Sequence, residues 1–292
     1  MAIDKLQEKI RKLKNPTVVD FSVELEKLPP YLMEQEHNEI LAYDRFCREL
    51  MDGLKGIVPA VRFHMGRFSL LGPDGMFLLK KMAEYAKAQD YYVFLDIPEC
   101  MSKQAAELSA KNLFSDRGLW QFDGIVVSAY AGSDVLKPYL EYLKNSGKDM
   151  FVVLRTANKT AAELQDLLTG SRLVHMAAAD IAYRFCDPLI GRSGYSQVAG
   201  VGPASSADVL KKLRARYKKL FMLVDGYDLT NANAKNCSYA FDSLGHGAAV
   251  CSGAGITCAW IDNSPDGEDY VKLSQEAAER MKKNLTRYVN IL

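Results

Sequence analysis

Eight short apolar segments, each followed by a stretch with helical spacing, constrain this chain more than any other feature. They are Thr17–Phe21, Ala60–His64, Tyr91–Asp96, Gly124–Ser128, Met150–Arg155, Gln197–Val201, Leu220–Val224 and Ala248–Ser252. Segments this short, apolar throughout and rich in Val, read as strands buried on both faces, the habit of parallel sheets. Helices are expected between them over Ala2–Lys14, Asn38–Leu54, Met76–Ala88, the stretch to about Asn112, Lys137–Asn145, Ala161–Leu168, Leu173–Tyr183, Ser205–Lys218 and Gly267–Tyr288. Asn15-Pro16 ends the first of these, because proline disfavours helical geometry in the residue before it. Gly72-Pro-Asp-Gly75 reads as a turn. Eight strand–helix units in 292 residues predict a single-domain (β/α)8 barrel over residues 1–292, with an N-terminal helix added. A doubly wound dinucleotide-binding sheet would want GxGxxG after its first strand. Asp20-Phe-Ser-Val23 stands there instead.

Charge narrows the function classes. The chain carries 37 basic and 36 acidic residues, so no global field favours nucleic acid or a membrane surface. Its N-terminus, MAIDKLQEKIRKLKN, has no apolar core of a signal peptide, and no apolar run approaches the ~20 residues of a membrane span. Cys47, Cys100, Cys186, Cys237, Cys251 and Cys258 form no CxxC pair and read as reduced thiols. A cytoplasmic protein is expected, with neither nucleic acid nor membrane as partner. The basic run Lys211–Lys219 reads as the solvated face of a barrel helix.

In such a barrel, active sites form where strands hand over to helices. The third handover, Tyr91–Ala110, crowds Asp96, Glu99 and Lys103 together. Arg62, His64 and Arg155 end other strands, and Asp225 and Asp228 follow the seventh. Those carboxylates would suit Mg²⁺, but their spacing matches no recognised metal motif, and neither metal nor cofactor is expected.

Aligned by their strand ends, several segments carry a resemblance. They are Val58-Pro-Ala-Val-Arg-Phe63 with Leu71-Gly-Pro-Asp-Gly75, Arg155-Thr-Ala-Asn158 with Glu163-Leu-Gln-Asp-Leu167, Val224-Asp-Gly-Tyr227, and Ala240-Phe-Asp before Gly245. In order and spacing, from about Asn15 to Ile261, the chain resembles the orotidine 5′-phosphate decarboxylases, specifically their longer bacterial subgroup. The resemblance implies a (β/α)8 barrel that pairs into a dimer. It also implies the signature Asp-x-Lys-x-x-Asp, usually followed by Ile, after the third strand. The lysine there protonates the carbanion left by departing carbon dioxide. Here that stretch reads Asp96-Ile-Pro98-Glu-Cys-Met101-Ser102. Asp96 matches, Pro98 stands for the lysine and Met101 for the second aspartate. Proline cannot donate a proton.

Four further family positions differ. The ribose-holding aspartate of the first strand falls at Ser22, and the second-strand lysine becomes Arg62. The phosphate loop becomes Asp225-Gly-Tyr-Asp228, and the phosphate-clamping arginine falls within Cys251-Ser-Gly-Ala254-Gly. The leading expectation is therefore a non-catalytic relative with a binding or regulatory role in pyrimidine nucleotide metabolism. It would work as a homodimer, or as a heterodimer with a decarboxylase paralogue. Its ligand is expected to be a small anionic metabolite facing Arg62, Asp96, Ser128, Arg155, Asn158, Asp225 and Tyr227. Two alternatives stand beside it: an active decarboxylase with Lys103 as a displaced proton donor, and a different lyase or isomerase using Asp96, Glu99 and His64.

Overall fold

A computed structural model describes residues 1–114 and 119–292. Eight parallel strands close into a barrel in chain order: β1 (Thr17–Asp20), β2 (Ala60–His64), β3 (Tyr92–Asp96), β4 (Gly124–Ser128), β5 (Asp149–Val153), β6 (Val198–Pro203), β7 (Met222–Asp225) and β8 (Ala248–Ser252). β8 pairs back onto β1, with Thr17 opposite Val250, and this closes the ring. The expected (β/α)8 architecture is present. Nearly every strand residue is buried, because helices cover the outside and side chains fill the inside.

The first helix, α1 (Ala2–Leu13), closes one end of the barrel. Its contacts go to the loops that precede strands. The Ala2 N–H donates to the Gly147 carbonyl, Asp4 Oδ1 accepts from the Ser193 N–H at 2.8 Å, and Gln7 Oε1 accepts from the Gly247 N–H at 2.8 Å. Those loops lead into β5, β6 and β8, so α1 caps the amino-terminal end. The opposite end, where strands finish, is left as the mouth.

Three local expectations change. Gly72-Pro-Asp-Gly75 is the first turn of the helix Gly72–Ala88, since proline is tolerated where its missing N–H would have no partner. Gly75 is required there, because a Cβ would lie 2.0 Å from the Phe68 carbonyl oxygen. The helix expected over Ala161–Leu168 is a 3₁₀ turn, Lys159–Glu163, followed by a small hairpin that pairs Leu168–Thr169 with Arg172–Leu173. The leucines there have the spacing of a helix face, but no partner surface covers them, and Leu168 is 74% exposed. Without burial, the helix pattern has nothing to stabilise it, and Gly170, at φ +63°, turns the chain instead. Four short helices, Pro30–Glu36, Met65–Ser69, Ala234–Ser238 and Ala254–Thr257, lie where none was expected.

Aromatic rings knit the core around β3, β5 and the segment before β7. Phe151 meets Phe94 at 4.8 Å between centroids and Phe221 at 6.3 Å. Phe151→Ala should cost about 3–5 kcal/mol of stability, read as an earlier midpoint in urea with the slope unchanged.

Candidate functional site at the barrel mouth

Residues two apart on a strand share a face, so Arg62 and His64, at the end of β2, point the same way. Arg62 is only 4% exposed. A guanidinium so buried needs anionic partners, and three other strand ends supply them. Nη1 bonds Asp225 Oδ1 of β7 at 3.1 Å, Nη2 bonds Asp96 Oδ2 of β3, and Asp20 Oδ2 of β1 lies 3.8 Å from Nε. Burial works against the Arg62 charge, but Asp225 and Asp96 outweigh it and hold the group protonated. Burial likewise pushes the Asp96 carboxyl up, yet Arg62 and His64 keep it below its ordinary value.

His64 Nε2 lies 3.0 Å from Asp96 Oδ2 and 3.2 Å from Arg62 Nη2. Desolvation lowers the affinity of the ring for a proton, and the bond to Asp96 more than restores it, so its pKa sits above 6.5. The Ser22 hydroxyl accepts the His64 backbone N–H at 3.1 Å and is spent on the scaffold.

These groups border a cavity of about 420 Å³, within the usual range for small-molecule sites. Arg62, His64, Asp96, Pro98, Glu99, Ser128, Thr156 and Asp225 line it together with Ile97, Val126, Val127, Val153 and Val201. The strand ends thus bring together five of the positions expected from sequence to bear on chemistry (Arg62, His64, Asp96, Glu99 and Asp225), with Ser128 at the rim.

Others lie elsewhere. Lys103 is 65% exposed, pairs with Glu107 at 3.6 Å and borders a different cleft. Ser102 caps its helix by accepting the Ala105 N–H, which starts the helix at Lys103 and turns that side chain outward. Arg155 is buried, but it makes a two-pronged bond to Asp166 at 2.9 and 3.2 Å, and His175 joins at 3.1 Å. Asn158 bonds Thr160. Tyr227 faces a separate cleft with Lys235, Asn284 and Arg287.

Asp228 does not join Asp96 and Glu99 around a cation either. Its carboxylate accepts the Ser252 hydroxyl and the Gly253 N–H, the latter at 2.6 Å, across the end of β8. Among the described residues no cluster of side chains suits a metal. All six cysteines are free, and burial pushes the Cys251 thiol, 3.8 Å from Arg62 Nη1, well up.

Sequence reasoning missed Asp20 and Thr156. Asp20 had a signal: β1, β3 and β7 all end in Asp, and the register sets Asp20 opposite Arg62. Thr156 gave none, since it follows β5 in an irregular loop.

A family model described as orotidine 5′-phosphate decarboxylase / HUMPS family matches residues 70–256. The chain belongs to this family. Among curated relatives it is similar to the orotidine 5′-phosphate decarboxylase of Clostridium novyi, 26% identical over 98% of this chain and 99% of that protein. The enzyme of the same name from Clostridium tetani is 27% identical over 99% of each. Among solved structures, the Plasmodium berghei orotidine 5′-monophosphate decarboxylase superposes with a TM-score of 0.78 at 15% identity, covering 99% of both chains. The Leishmania donovani OMP decarboxylase does so at 0.71 and 22%, covering 97% of this chain and 98% of that one. These structural likenesses bear on the fold, and the decarboxylase family's barrel is the one seen here.

Two measurements test the charge cluster. His64 should titrate by NMR with a midpoint above 6.5, and Asp96→Asn should bring it down. Because the folded value is raised, the share of stability due to His64 is full below the unfolded value and is lost as pH rises through the folded one. Arg62→Met should destabilise by about 3–5 kcal/mol in urea by leaving buried carboxylates unpaired, and acidification should recover part of that loss.

Proposed function

We propose that this chain is a non-decarboxylating member of its family that binds a small molecule at the barrel mouth. One observation carries the reading: among the described residues no lysine lines the cavity, and Pro98 stands where the resemblance puts the proton-donating amine. A decarboxylase of this kind must deliver a proton to a carbanion. Lys103, the alternative donor, is held outside by its helix and by Glu107.

Electrostatics support the same reading. Orotidine 5′-phosphate brings a carboxylate and a phosphate dianion to a mouth already lined by Asp96, Glu99 and Asp225. The Asp228 carboxylate sits on the Gly253 amide, in the β7–β8 region where barrels commonly hold phosphate. The Arg62 guanidinium is committed to its own carboxylates.

The His64–Asp96 pair on the cavity wall favours a second reading, acid–base chemistry on a different substrate. Subunit pairing, with itself or with a decarboxylase paralogue, stays part of the proposal. The exposed Leu70, Phe77, Met101 and Leu108, on the two sectors after β2 and β3, support it.

Calorimetric titration with orotidine 5′-monophosphate tests the main reading. No turnover heat is expected from the purified protein. Sustained heat that disappears in Lys103→Ala would overturn the reading and restore the displaced donor.

A further inference from the structure

We infer that the mouth takes a small organic cation, a compact apolar body bearing a protonated amine, in place of the anion expected from sequence. The inference deepens the proposed function and rests on the mouth not being a decarboxylase site. Three carboxylates line the cavity against one guanidinium and one imidazole, so the mouth stays negative even when His64 is protonated. Arg62 offers little to an incoming anion, since Nη1 and Nη2 already bond Asp225 and Asp96 and the remaining donor, Nε, is buried 3.8 Å from the Asp20 carboxylate. No other arginine and no lysine lines the cavity among the described residues.

The acceptors, by contrast, are free. Asp96 uses Oδ2 for both Arg62 and His64, and among the described residues nothing donates to its Oδ1. Asp225 uses Oδ1 for Arg62 and for the Gly226 N–H, which leaves Oδ2 in the same condition. Glu99 makes no ion pair among the described residues and borders the cavity from the loop after β3. An ammonium group has three donors to offer and no acceptor, which matches three carboxylates with unused lone pairs. Opposite them, Val126, Val127, Val153 and Val201 form an apolar wall that an aliphatic or alicyclic body would cover. A charged amine alone would stay hydrated, and an apolar body alone would leave the carboxylates facing nothing. The pairing of both surfaces selects a molecule with both parts.

The test compares two probes of equal shape and opposite charge, cyclopentylamine and cyclopentanecarboxylate, followed by amide chemical shifts of the full chain near neutral pH. The amine should saturate at millimolar concentration, with shifts concentrated at Val126, Val127 and Val153, and the carboxylate should not. Glu99→Gln alters an exposed loop residue without disturbing the fold and should weaken amine binding about threefold. Asp225→Asn should weaken it further. Equal or tighter binding of the carboxylate would overturn the inference, as would amine affinity unchanged in both variants. If neither probe binds and orotidine 5′-monophosphate is also inert, the cation assignment fails while the non-catalytic reading stands. Turnover of orotidine 5′-monophosphate in the same sample would remove the reading on which the inference rests.

Discussion

One buried guanidinium holds the top of this barrel together. Arg62 draws Asp20, Asp96 and Asp225 inward from β1, β3 and β7, ties His64 into the same knot, and touches Cys251 at the end of β8. Such a cluster is tolerable only when every charge has a partner, because an unpaired ion in that environment costs several kcal/mol. The strand ends are therefore fixed by electrostatics where the packing of the barrel gives out. Whatever the mouth binds must accept that the buried Arg62 guanidinium on its wall is already engaged.

Pairing inside the knot also lets the scaffold tolerate the loss of chemistry proposed above. The proposed losses, Pro98 for the amine and Asp228 across the β8 amide, sit in loops, whereas the barrel is secured by strand register and core aromatics. Loops carry reactions and strands carry stability in this architecture. A change of function need not disturb the fold, and the fold likeness to decarboxylases at 15–22% identity says little about which reaction survives.

How much of this was legible in the sequence differs by element. All eight strands were, because burial on both faces leaves short, mostly apolar runs with no competing pattern. The segment Ala161–Leu168 was misread because leucine spacing promises a helix only if something covers the leucines, and coverage is a tertiary fact. Arg62, His64, Asp96 and Asp225 were legible as a group, since strand ends in a barrel converge whatever their order in the chain. Arg155 looked equivalent to Arg62, yet Asp166, eleven residues on, captures it, a contact that depends on how an irregular loop folds back. The engagement of Arg62 was missed for a related reason. Counting Arg62 as an available cation ignores the three carboxylates that claim it, and one of them, Asp20, was overlooked.

The helix α1 has a bearing on how the molecule is made. It precedes every strand in the chain, yet its partners are the loops before β5, β6 and β8, and Gln7 bonds Gly247 across a separation of 240 residues. The ring of strands likewise shuts only when β8 reaches β1. Contacts so distant in sequence are paid for in loop entropy before they return anything, which slows folding. Until the last strand arrives, the native surface under the apolar face of α1, with Ile3, Leu6 and Ile10, is incomplete. The last strand to be made therefore completes both the ring and the seat of the first helix, so the two ends of the chain depend on each other for their final packing.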